Sequence, residues 1–120
     1  ASLATVEAGT AGRVASLFAQ AADRRNDASE PFFCGGLVLP GLPGARLELI
    51  AAAKDVARSH NASVGMAVGP VRSTGVRHAV DVVVVNNDVP IITEHVLGGG
   101  GIAMSRAAKS AIDQIRRILL

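Results

Sequence analysis

Between Ala79 and Val85 the chain is almost continuously β-branched and apolar; Asn86-Asn87-Asp88 follows, and Val89 to Val96 is largely apolar again. Valine and isoleucine suit a pleated surface, while Asn and Asp tolerate the positive φ angles of a tight turn, so the segment predicts a β-hairpin. Pro90 has no amide to give to a ladder, which assigns it to the start of the second strand or to an edge. A hairpin this apolar needs cover on at least one face. Helical periodicity on both sides supplies it. From Ala45, Leu49, Ala52, Ala53 and Val56 share one helical face, Arg46, Lys54 and Arg58 turn away, and Asn61 marks a stop. Near the C-terminus, Ala108, Ala111, Ile112, Ile115 and Leu119 form a second stripe, opposite Arg106, Lys109, Asp113, Arg116 and Arg117. Ser63 to Val68 reads as a further strand, ended by Gly69-Pro70 and by Ser73-Thr74-Gly75. Residues 45–120 thus read helix, strand, strand, strand, helix.

The preceding residues are less regular. Val14, Leu17, Phe18 and Ala21 predict an amphipathic helix over residues 5–25, with Thr10 as its N-cap. A polar linker from Asn26 to Pro31 follows, then a short apolar strand from Phe32 to Leu39, closed by Pro40-Gly41 and Pro43-Gly44. A chain of 120 residues has room for one core. The expected organisation is therefore an N-terminal extension, residues 1–44, on a domain formed by residues 45–120. Three phenylalanines in an aromatic-poor chain, Phe18, Phe32 and Phe33, are expected to pack on the domain or on a second subunit.

Composition narrows the function. Apolar residues make up 49% of the chain and aromatic residues 2%, so a core of Val, Ile, Leu and Ala is expected. The single Cys34 forms no internal disulfide, and no Cys/His spacing suits a metal, so no metal or cofactor is expected. The sequence contains no apolar run of membrane-spanning length and no signal-peptide pattern near residue 1, which predicts an intracellular protein with no membrane partner. Twelve Lys and Arg against ten Asp and Glu leave a net charge of +2. Residues 1–60 carry the two signs equally, so the whole excess lies in residues 61–120.

Three local patterns then combine: Gly75-Val76-Arg77-His78 before the hairpin, the four glycines 98–101, and Ser105-Arg106-Ala107-Ala108-Lys109 opening the last helix. With the element order, they resemble a double-stranded RNA-binding domain over about 75 residues. The family's Gly-Pro-x-His motif is matched with Val76 in place of Pro, and Val82 stands where the family usually has Phe. Its Lys-Lys-x-Ala-Lys cluster is matched by Ser105 to Lys109, with Ser and Arg replacing the first two lysines. Gly100 fits the first glycine of the family's lead-in, while Ile102 and Met104 replace its second Gly and its Ser. Asp55 falls near the family's RNA-contacting Glu.

The resemblance implies an α+β fold, α-β-β-β-α, with a three-stranded antiparallel sheet and both helices on one face. It implies a non-catalytic module for double-stranded or structured RNA, read by shape and phosphate contacts. Lys54, Asp55 and Arg58 of the first helix, Gly75, Arg77 and His78 of the loop, and Ser105, Arg106 and Lys109 of the last helix would form the interface. The alternative is a degenerate member of that fold that pairs with a protein or with itself, through Val82 to Val85 and Val89 to Ile92 edge to edge. An enzyme using Cys34 with His60 or His78 as base is disfavoured, because no acid is placed to orient the base; no enzymatic activity is expected.

Overall fold

The computed structural model describes residues 2–8, 10, 12–23, 33–42, 45–74, 77–97, 106 and 109–115. Along the chain run β1 (Leu3–Glu7), α1 (Arg13–Asp23), β2 (Phe33–Val38), α2 (Arg46–Ser59), β3 (Val64–Val68), β4 (Arg72–Thr74), β5 (Arg77–Asn86) and β6 (Val89–Leu97). A last helix, α3, is described over residues 109–115. The class is α+β, with one mixed six-stranded sheet.

β1 pairs in parallel with both β2 and β3, and β5 is antiparallel to β3, β4 and β6. Parallel neighbours need long crossovers, and α1 and α2 provide them. The first crossover steps outward from β1 to β2 and the second steps back across β1 to β3. With the right-handed rule holding for each, the two helices must lie on opposite faces. They do. Val14 and Phe18 of α1 share a buried cluster with Leu3, Val64, Met66, Val80, Val82 and Val84, together with Ala111 and Ile115 of α3. Leu49, Ala53 and Val56 of α2 pack on Ala4, Val6, Ala67, Val83 and Val85 on the other side.

The hairpin forms as its residues predict. Asn87 and Asp88 take φ of 51° and 64°, and Asn86 pairs with Val89 across a two-residue turn. That flanking pair carries hydrogen bonds, so the backbone of Pro90, one residue on, faces the outer edge of β6, where no ladder amide is needed. β3 and β4 lie along the same side of β5: Gly69 donates to the Asp81 carbonyl at 3.0 Å, whereas Arg72 stands opposite Ala79. Two residues, Pro70 and Val71, therefore oppose Val80 alone, which is a β-bulge and a tolerated place for proline. Asn61 ends α2 in a left-handed conformation, φ 52°, with Asn61 N–H on the Arg58 carbonyl and Ala62 N–H on the Ala57 carbonyl; this is the paired C-terminal bonding that an Asn or Gly supports.

Three expectations are corrected. The sheet is not three antiparallel strands with both helices on one face: α2 and α3 lie on opposite faces of a mixed sheet. Thr5 to Glu7 are strand, not helix, and among the described residues of the predicted N-terminal helix only Arg13–Asp23 is helical. The segment read as an extension supplies β1 and β2, and β1 lies inside the sheet between β2 and β3. Its aromatics are internal as well: the Phe18 and Phe33 rings stack at 5.7 Å. Phe32 lies outside the described residues.

Candidate functional site

The carboxyl ends of β1, β2 and β3 and the amino ends of α1 and α2 meet at one end of the sheet, the end at which open α/β sheets place ligands. The two helix starts differ. Glu7, fully buried at the end of β1, accepts hydrogen bonds at Oε1 from Val14 N (3.0 Å) and the Thr10 hydroxyl, and at Oε2 from Ala15 N (2.8 Å). The chain's own carboxylate thus occupies the anion-attracting end of α1. Thr10, expected as the side-chain cap, supports Glu7 instead. α2 begins after Ala45 with no side-chain cap at that residue. Its first turn carries Arg46 and Glu48, and the Glu48 and Leu49 amides bond the Ala45 carbonyl, so any pull on an anion comes from the turn's first amides.

Beside that uncapped end is a cleft of about 350 Å³ lined by Arg46, Leu49, Gly69, Pro70, Arg72 and Asp81. Asp81, only 5% exposed, is the one charged residue in the apolar run from Ala79 to Val85 of β5. Arg72 Nη1 lies 3.3 Å from its Oδ2 and Nη2 3.4 Å from its Oδ1, and Arg46 Nη2 lies 3.6 Å from Oδ1. Glu94 stands opposite Asp81 on β6, a like-charge pair that would be unfavourable alone. Arg72 bridges the two carboxylates. Asp81 thereby fixes two guanidinium groups at the mouth of the cleft, and each keeps donors beyond those it gives to carboxylates. Among the described residues, no hydroxyl, thiol or amine side chain lines this cleft. Among the described residues no cluster of His, Cys, Asp and Glu suits a metal. A second, more apolar cleft of about 220 Å³ lies between α2 and the β2 edge, lined by Val6, Leu37, Leu39, Ala52, Asp55, Val56, Ser59 and His60.

The residues expected to bind RNA are not brought together. Lys54, Asp55 and Arg58 lie on α2, where exposed Asp55 and Arg58 pair at 3.7 Å. Arg77 and His78 open β5, with His78 opposite Ser73 and Leu97 in the sheet, so the histidine is not presented by a loop. Arg106 and Lys109 are exposed on the C-terminal helical segment, across the sheet from α2. Gly75 and Ser105 lie outside the described residues. A duplex cannot touch α2 and α3 at once from one side. Nor can Val82 to Val85 pair edge to edge with a partner, because β5 already has neighbours on both sides. Local pattern does not mark Arg46 and Arg72 as site residues, although Asp81 within Ala79 to Val85 is a visible signal: a lone acid in an apolar run needs a partner. Cys34 sits at the irregularity where β1 and β2 change register, and Gly35 (φ 145°) lies against the His60 ring.

No family model matches the chain, and no curated protein does. Solved structures do. The competence-damaged protein (CinA) superfamily protein from Enterobacter cloacae superposes with a TM-score of 0.67 at 12% identity, covering 97% of this chain and 81% of that one. The fold is CinA-like. The CinA superfamily protein from Escherichia coli gives a TM-score of 0.66 at 16% identity, covering 98% and 80%. The competence damage-inducible protein A from Klebsiella pneumoniae gives 0.63 at 13%, covering 98% and 83%. A CinA-like fold over nearly the whole chain overturns the resemblance to a double-stranded RNA-binding domain. With it go the RNA-binding function and the alternative of a degenerate RNA-domain pairing module. Among the described residues, no helix is long and apolar enough to cross a membrane.

Proposed function

We propose that this chain is a ligand-binding domain that takes a small anionic molecule, bearing a phosphate or carboxylate group, in the cleft at the start of α2. The observation that carries the reading is the convergence of Arg46 and Arg72 on Asp81 beside an uncapped helix end. Guanidinium groups match phosphate and carboxylate oxygens in pairs, and Asp81 holds them in place before a ligand arrives. Leu49, Gly69 and Pro70 give the cleft an apolar wall, and its volume sits at the low end for small-molecule sites, roughly 300 to 1,000 Å³. The fold favours the same end of the sheet on topological grounds.

The test is a thermal-shift and calorimetric titration with inorganic phosphate, nucleoside monophosphates and dicarboxylates. At least one is expected to raise the melting temperature of the wild type in a concentration-dependent way, as a ligand of the native state must. Arg46→Ala should lose most of that shift while keeping the fold. If no anion shifts the protein at millimolar concentration, or Arg46→Ala responds as the wild type does, the reading fails.

A further inference from the structure

Among the described residues, helices cover the two faces of the sheet unequally. α1 and α3 share one face, whereas α2 alone packs on the other, over Ala4, Val6, Ala67, Val83 and Val85. No described helix covers the β6 end of that second face. Ile92, Glu94 and Val96 point to it, because they stand opposite Val83, Asp81 and Ala79. Ile92 is 37% exposed and Val96 59%, and Leu47, next to Arg46 in the first turn of α2, is 81% exposed. Single exposed apolar side chains are ordinary in any protein. Here Ile92 and Val96 flank an ion-pair network on a sheet face that no described helix covers, which is a pattern of interaction surfaces.

We infer that a second copy of this chain covers this face, forming an isologous twofold dimer. The charges select that occupant. Arg46 and Arg72 are matched in number by Asp81 and Glu94, so an acidic partner meets Glu94 and a basic partner meets Arg46. The same face turned about a twofold axis presents Glu94 to Arg46 and Arg46 to Glu94, twice over. Both side chains extend far enough into solvent for this, at 55% exposure for Arg46 and 46% for Glu94. Asp81, at 7%, stays within its own subunit and keeps Arg72 in place. Ile92 and Val96 supply the apolar contact that rim charges alone do not. The dimer also closes the open side of the anion cleft, but it needs no ligand there.

Sedimentation velocity of the ligand-free chain from micromolar to millimolar concentration tests the inference. A reversible monomer–dimer equilibrium is expected. Val96→Lys should raise the dimer dissociation constant by about tenfold or more, since the twofold axis counts one change twice. Arg46→Glu and Glu94→Arg should each be monomeric, whereas an equimolar mixture of the two should form a heterodimer, because each interface charge again faces its opposite. Circular dichroism of every variant separates lost association from lost folding. A monomer at every concentration overturns the inference, as does a dimer indifferent to Val96→Lys or a mixture of the charge variants that fails to associate. Each outcome is read without ligand, so it stands apart from any failure of the anion titration.

Discussion

Gly65 of β3 and Ala53 of α2 are in backbone contact: a Cβ added at position 65 would lie 1.9 Å from the Ala53 carbonyl oxygen. The atom it would meet is main chain and cannot rotate away, so α2 would have to lift from the sheet. Gly65→Ala is therefore expected to destabilise the fold by at least about 2 kcal/mol, the scale of overpacking in a close-packed interior. Urea denaturation reads it as a lower midpoint. An unchanged midpoint would mean that α2 is not seated as described.

Glu7 is buried and accepts from two backbone amides and one hydroxyl. Glu7→Gln keeps the shape but turns an amide donor toward some of those donors and removes the charge that favours the start of α1. A loss of about 2 kcal/mol is expected, the scale for hydrogen bonds to a buried charged group. Amide hydrogen exchange should show the loss first at Val14 and Ala15.

Asn61 holds φ 52° at the end of α2. Asn61→Gly should leave stability unchanged or slightly raised, whereas Asn61→Val should cost about 1 to 2 kcal/mol, because a β-branched side chain collides with its own backbone there. Thermal melts of the two variants should bracket the wild type. Equal losses for both would point to the Asn side chain instead of the backbone angle.

Asp81→Ala removes the carboxylate between Arg46 and Arg72 and leaves two guanidinium groups facing an empty site. The variant should be less stable than the wild type in a weakly interacting buffer. Added phosphate should then recover more stability in the variant than it adds to the wild type, since an anion can take the vacated place. Equal responses would place phosphate elsewhere on the surface.

Local chemistry made much of the chain readable. The hairpin at Asn87 and Asp88, the stop at Asn61, the edge position of Pro90 and the stripe that buries Ile115 beside Val82 and Val84 all follow from neighbours a few residues apart. What no local pattern carries is direction and face. An order of helix, three strands and helix fits a three-stranded antiparallel sheet with both helices on one side, and it fits this structure equally well, because each amphipathic helix states only that it needs a sheet. The deciding partner was β1, five residues whose strand character was masked by the helical pattern that begins six residues later. Once β1 enters between β2 and β3, right-handed crossovers send α1 and α2 to opposite faces and separate the cations of α2 from those of the last helix. The same long-range pairing assembles the cleft: Arg46, Arg72 and Asp81 are separated along the chain and meet because a bulge at Pro70 carries β4 along β5 beside the start of α2. The turns, the helix stop and the apolar stripes are written in local sequence, because they depend on the conformational preferences of single residues. The tertiary structure alone decided which face each stripe covers and which charges converge, because strand pairing between distant segments sets both.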